Sequence, residues 1–576
     1  MKHQLRWRRV VAASAVMVTS AGLASAVGGT VAATAAADPG DCATAFPTEE
    51  LVDGDAVTGL TVSEGTTPEP FTGEFLGTIQ DGIAVGLDMV MVRLSSPEID
   101  RVGGIWQGMS GSPVYAEDGR LIGAVAYGLA WGTTPVAGVT PFDAMDDYVA
   151  APAARVKVGR RAARKIAQDS EVTREQAESG FRQLRMPTSV SGLTPKRLDQ
   201  ATGRKWLPKQ TQQVGSTGTG GASPGAEAIV AGGNLAAAFS YGDITMGGVG
   251  TATSVCDGDV VGFGHPMSFS GKTTATLHPA DALYIQEDPV GVPFKVANFA
   301  PPVGTIDQDR LAAISGTLGP LPATSSVTST VASASRQRTG DTQVSVPDFM
   351  PSAVFYQLLA NQDRIFDRIG PGSAEQAWTI AGRRADGSPF TLELSDRFSS
   401  QWDISFEMAW DVPDQVWFLS SFQGVTIDDV TVSSTMTDDP AAWRIRRLEQ
   451  MRGGVWHTVN RRNPAFGRAG RALRLRATLA GADGVTRTVR MKRMIPKRAR
   501  SSFGVLQVTG GASQWASWSG KTVDDALAGL AGQIRNDEIE MQLFLERQRR
   551  SWERTSTAGP LDGIVRGGRS VEVWIR

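Results

Sequence analysis

Gly103-Gly104-Ile105-Trp106-Gln107-Gly108-Met109-Ser110-Gly111-Ser112-Pro113-Val114-Tyr115 sets two serines among four glycines, just ahead of a strand-like run. Glycines here permit unusual backbone angles and let another chain come close. A nucleophilic serine needs such a turn, because a base and a substrate carbonyl must both reach its Oγ. The same turn aims the N–H groups of Gly108 and Ser110 at one point, the arrangement of an oxyanion hole. After the Asp118-Gly119 turn, the run Leu121–Tyr127 completes a hairpin that holds the loop rigid. On turn chemistry alone, a plain Gly/Ser connection between strands explains these residues equally well.

A nucleophilic serine needs a base, and the chain has four histidines. His3 lies in the N-terminal leader, His278 precedes Pro279 without special context, and His457 sits among basic residues. His265 differs. It ends the apolar run Val260-Val261-Gly262-Phe263-Gly264 and precedes Pro266, so its turn mirrors the serine turn. That setting, with few competing bases, selects His265 as the general base.

Other chemistries find little support. Gly271-Lys272-Thr273 and Gly520-Lys521-Thr522 lack the glycine that a phosphate loop places five residues earlier; Pro266 and Trp515 stand there. Four histidines and two cysteines, with no HExxH or paired CxxC, make a multi-ligand zinc site hard to build. No metal and no cofactor are expected. The formal net charge of −2 argues against a dedicated nucleic-acid binder.

The N-terminus speaks about location. Lys2, Arg6, Arg8 and Arg9 precede an apolar, small-residue stretch from Val10 to Val27, followed by Ala24-Ser25-Ala26 and Ala35-Ala36-Ala37. This reads as a secretory signal peptide over 1–37, cut after Ala37 or otherwise after Ala26. A retained anchor is the alternative, though the stretch is poor in Leu, Ile and Phe. No later segment has the apolar length of a membrane span. The mature protein is therefore expected outside the cytoplasmic membrane. There Cys42 and Cys256, the only cysteines, are free to oxidise to a disulfide.

A length of 576 residues suggests three to five domains. Residues 45–150 read as short strands broken by glycine, and 151–225 as a helical and Gly-rich linker ending in Gly215–Gly225. Residues 226–320 return to strands and turns. Strands mix with a helix near Ser352–Ile365 across 321–420. From 421 to 576 clear alternation suggests a β-sandwich with a helical insert around Val523–Arg535.

The serine segment Gly103–Pro113, with Leu121-Ile122-Gly123-Ala124-Val125, closely resembles the nucleophile segment of the SpoIVB-type serine peptidases. Gly250-Thr251 through Gly264-His265 resembles that family's base segment. Val303-Gly304-Thr305-Ile306 to Gly316-Thr317-Leu318-Gly319 resembles the stretch that comes after the histidine in that family. The likeness implies Ser110 as nucleophile, His265 as base, and a mainly β fold: a trypsin-like double β-barrel split into two halves, then a β-rich C-terminal region. Three departures stand out. The serine half precedes the histidine half, which a triad tolerates because geometry defines it. The family's peptide-binding PDZ-like module is replaced by the C-terminal β region. The place of the family's catalytic acid reads Leu94-Ser95-Ser96-Pro97. Asp100 and Asp257 are the candidate orienting acids, with Glu98, Asp243 and Asp259 also near.

The sequence reading is thus a secreted serine endopeptidase acting on protein or peptide substrates, its own chain included. A catalytically inactive envelope scaffold is the alternative. An esterase elbow is disfavoured, because Gly108-Met109-Ser110-Gly111-Ser112 ends in serine where that motif needs glycine.

Overall fold

The computed structural model describes residues 42–130, 132–146, 158–169, 172–184, 188–208, 215–216, 223–288, 292–514 and 518–576. The expected signal peptide and much of the expected linker lie outside these residues.

Two closed six-stranded antiparallel barrels form the first half. Strands β1 (Ala56–Thr61), β2 (Glu69–Ala84), β3 (Leu87–Ser95), β4 (Pro113–Tyr115), β5 (Leu121–Leu129) and β6 (Val136–Pro141) run in the order β4-β1-β2-β3-β6-β5, and β4 pairs with β5 to close the ring. β5 and β6 are buried along their whole length: one side faces the barrel interior, and the other packs against Met145, Val158, Ile166, Phe181 and Leu311. Val57, Phe71, Val90, Val92, Ile122 and Val139 fill the interior.

Beyond this barrel, β7 (Phe181–Gln183) adds to the free end of β5, and β8 (Thr188–Val190) and β9 (Gly215–Ser216) come next in the chain. The second barrel uses β10 (Asn234–Gly242), β11 (Met246–Cys256), β12 (Asp259–Gly262), β13 (Gly271–His278), β16 (Gly304–Asp309) and β17 (Ile314–Leu318). Strands β14 (Ala280–Gln286) and β15 (Phe294–Phe299) form a hairpin between the two barrels. The expected linker is thus more than a spacer, since β7 extends the first barrel's sheet and β8 the second's.

Strand β10 belongs to two structures. Its first half closes the second barrel, and after a register shift between Ala238 and Ser240 its end pairs with β19 (Gln337–Val344). The sheet continues through β18 (Ser325–Ala332), β22 (Thr426–Thr437), β20 (Gly372–Arg383) and β21 (Pro389–Ser400). The helix Met350–Phe366 packs on this sheet, and Ile427, Val430 and Val432 join the same core. That burial places Thr426–Thr437 here rather than in a sandwich opening at residue 421. Two five-stranded sheets from Ala442 onward form the sandwich, closed over Leu473, Leu475, Leu506, Leu543 and Val573. The helical insert runs Val523–Ala531 and docks Ala526 and Leu530 against the preceding domain.

Candidate active site

The site lies where the barrels touch. Ser96 caps the helix Pro97–Val102 by accepting from Ile99 N, and Gly103 ends that helix in the left-handed conformation. The Ser95-Ser96-Pro97 sequence, where the resemblance calls for an acid, is therefore a helix start. The chain then bends through Ile105 and Trp106 into the Gly108–Ser112 turn.

The second barrel grips that turn directly. Thr251 N donates to Ser110 O at 2.8 Å, Thr251 Oγ1 donates to Gly108 O at 3.2 Å, and Thr253 Oγ1 donates to Gly111 O at 2.8 Å. Gly111 holds φ +96°, and a Cβ there would meet Thr251 O at 1.9 Å. Only glycine allows the barrels this approach. The Gly250-Thr251 strand is the dock for the serine turn, which is a physical reason for its sequence.

Ser110 Oγ lies 2.9 Å from His265 Nε2. His265 Nδ1 lies 2.8 Å from the Pro266 carbonyl, an acceptor only; in the tautomer with the proton on Nδ1, Nε2 accepts from the serine hydroxyl. Gln183 Nε2 also donates to Pro266 O and lies 2.9 Å from Nδ1. Ser110 is 2% exposed and His265 0%. Burial pushes the imidazole down to about 4, against the smaller opposing effects of the Pro266 hydrogen bond and the Asp309 charge. His265 is therefore neutral at pH 7, the state a general base requires.

Gly108 N and Ser110 N donate to no acceptor among the described residues, although both residues are buried. Orphaned buried N–H groups are rare, and two on one turn beside a serine make a site for a developing oxyanion.

Residues 20–139 match the SpoIVB peptidase S55 family. The match takes in the serine turn and stops short of His265. Comparison with curated proteins and with solved structures returned no match. The SpoIVB peptidase S55 family is one of serine peptidases, whose substrates are proteins. The matched segment carries almost the whole first barrel, Ser110 included, while His265 is contributed by the second barrel.

Neither candidate acid stands beside the serine–histidine pair. Asp100 is exposed on the helix Pro97–Val102, and Asp257 is exposed at the hairpin between β11 and β12. Neither is hydrogen-bonded to His265, whose ring nitrogens meet Ser110, Gln183 and Pro266. Asp259 is exposed on β12, and Asp243 binds Arg338 at 2.7 Å. Glu98 is bound to Arg101 at 2.6 Å.

The carboxylate that serves this region is Asp309, which sequence reasoning missed. It is 1% exposed and accepts from Met267 N at 2.7 Å, Ser268 N at 2.8 Å and Ser270 N at 3.2 Å. It thus locks the loop that leaves His265. The Ser268 and Ser270 pattern was the available signal, since such serines favour turns closed on a buried acceptor. Lys295 was also missed. Its stem packs on Gly108, and its ammonium is fully buried against Asn234 Oδ1 at 2.8 Å; burial pushes it down to about 7.

Cys42 and Cys256 form a disulfide. Ala45 bridges to Leu121 on the first barrel, while Cys256 ends β11 on the second, so the bond ties one barrel to the other. Among the described residues no helix is long and apolar enough to cross a membrane.

Proposed function

We propose that the chain is a secreted serine endopeptidase working through a Ser110–His265 dyad. Ser110 Oγ attacks the scissile carbonyl carbon as its proton passes to His265 Nε2. The carbonyl oxygen takes up negative charge facing Gly108 N and Ser110 N. The tetrahedral species collapses when Nε2–H protonates the leaving amine, and a water activated by the same imidazole then releases the acyl group. The Pro266 carbonyl holds the imidazole in the productive tautomer throughout.

The observation that carries this reading is the 2.9 Å contact from Ser110 Oγ to a neutral His265 Nε2. Loss of the carboxylate from a Ser-His-Asp triad costs about 10⁴ in rate in the chymotrypsin-type case. A carbonyl partner therefore implies slow turnover. The same observation favours the scaffold reading as the second possibility. A fluorophosphonate probe separates them: Ser110 labels in a peptidase and stays unlabelled in a scaffold, under conditions where a control protease reacts.

A further inference from the structure

The dyad is buried, so some part of the chain stands where a substrate must enter. The hydrogen bonds of β5 identify it. On one edge β5 pairs with β6; on the other it pairs first with β4 and then, further along, with β7. The serine turn leads into β4 and is itself bound to β5, with Gly111 N donating to Val125 O at 2.8 Å. The edge immediately beyond, from Ala126 to Ala130, is thus the stretch of sheet edge that continues past the serine turn. An extended peptide reaching the nucleophile would add there as an antiparallel strand.

The chain's own segment 180–184 already lies on that edge. Leu184 N donates to Ala126 O at 2.9 Å, and Ala130 N donates to Gly180 O at 2.9 Å. Between them Gln183 faces Tyr127, Arg182 faces Gly128 and Phe181 faces Leu129. Alternate side chains of such a strand point to opposite sides. Leu184 is buried in the core that contains Ile105 and Trp106, the residues leading into the serine turn. A Cβ at Gly128 would meet Leu184 Cδ2 at 3.0 Å and Ile105 Cδ1 at 3.3 Å, so the leucine fills a pocket floored by that glycine. Gln183, on the other side, reaches His265 and Pro266.

We propose that Gly180–Leu184 is a built-in ligand of the peptidase cleft. It occupies the subsites for the acyl side of a substrate, with Leu184 in the pocket next to the nucleophile and Gln183 clamping the base. The proposal rests on the peptidase reading above. It states the substrate class as well: extended peptides with a leucine-sized apolar residue before the scissile bond, paired to Ala126–Ala130 as this segment is. The segment acts as an inhibitor in the resting chain, because it holds this edge and contacts His265 while the Leu184 carbonyl does not sit on Gly108 N or Ser110 N, so no bond of its own is presented for attack. The pocket and the base are engaged while the oxyanion site is left unfilled. Activation is displacement of this strand.

Two variants of the full-length protein test this by different routes. Leu184→Ser empties the pocket. Arg182→Pro removes a ladder N–H while leaving the apolar anchors in place, which serves if the first variant folds poorly. Both are expected to raise the rate of fluorophosphonate labelling at Ser110 by about tenfold or more, since removing a competing occupant raises the fraction of open sites. Acetyl-Phe-Arg-Gln-Leu-amide added in excess should slow labelling of both variants again. Peptides with Leu before the cleaved bond should be hydrolysed at least about tenfold faster than those with Asp, whose charge the apolar pocket would desolvate. Labelling of both variants at the wild-type rate, or equal cleavage of Leu and Asp peptides, overturns the proposal while leaving the peptidase reading standing. A wild-type chain found severed after Leu184 makes the segment a product and overturns the inhibitory role. Failure of every variant to label, beside a reactive control protease, defeats the peptidase reading itself and the proposal with it.

Discussion

Ser110 Oγ lies 2.9 Å from His265 Nε2 although 155 positions of sequence separate the two residues. The neighbouring hydroxyl is committed elsewhere: Ser112 Oγ donates to Thr61 Oγ1 at 2.9 Å. The two serines of the turn thus have different work, and substitution should separate them. Ser110→Ala is expected to abolish probe labelling and peptide hydrolysis and, since its hydroxyl also makes one buried hydrogen bond, to lower stability by no more than about 1 kcal/mol. Ser112→Ala should keep its activity and lose about 1 kcal/mol of stability, the ordinary value of one buried hydrogen bond. Labelling and melting curves on the two variants check both outcomes.

In the proposed mechanism the oxyanion donors depend on one glycine. Gly108 holds φ +94°, and a Cβ there would meet Lys295 Cβ at 2.8 Å. Gly108→Ala is therefore strained twice, by its backbone angle and by contact. The hydrolysis rate should fall by about 10²–10³, the cost of one misplaced oxyanion donor. KM should move little, because the donor acts on the transition state. Steady-state kinetics on a peptide substrate give that split.

Acid should weaken the fold through its buried histidines. His265 and His278 are both pushed down to about 4 by burial, whereas in the unfolded chain each titrates near 6.5. Between these values the unfolded chain binds more protons, so stability rises with pH across that window. The contribution is complete above about pH 6.5 and is lost as pH falls toward 4. Urea unfolding at pH 7.5 and pH 5 should show a lower midpoint at pH 5. Phe substitution of His278 should reduce that difference. An NMR titration should find the His265 imidazole neutral down to about pH 4 in the resting protein.

The disulfide closes a loop of sequence separation 214 and joins the barrels. Cross-links over long loops restrict the unfolded chain most, and removing one from a secreted domain typically costs about 2–5 kcal/mol. The double variant Cys42→Ser, Cys256→Ser should unfold at correspondingly lower denaturant concentration. Its labelling at 25 °C should persist, because Thr251 and Thr253 still dock the serine turn. Denaturant melts with and without reductant on the wild type give the same comparison.

Much of this site was legible in the residues themselves. Glycines and serines around Ser110, and the Gly-His-Pro turn at His265, are local requirements: left-handed angles and close backbone approach admit few other residues, so the chemistry shows in the sequence. The barrels were legible through the resemblance, and the two cysteines through their scarcity. The groups packed around the serine–histidine pair were not. Asp309 reaches the His265 loop from a strand 39–42 residues downstream. Gln183 comes from a stretch that reads as linker, because a three-residue strand carries no periodicity. The absence of an acid at Leu94–Pro97 was visible in the sequence, but its replacement by a backbone carbonyl was not, since every residue has one. Local sequence determined the serine turn and the histidine turn. Which surfaces met, which segment lay across the cleft and which groups faced the imidazole depended on long-range strand pairing between barrels, and only the tertiary structure decided them.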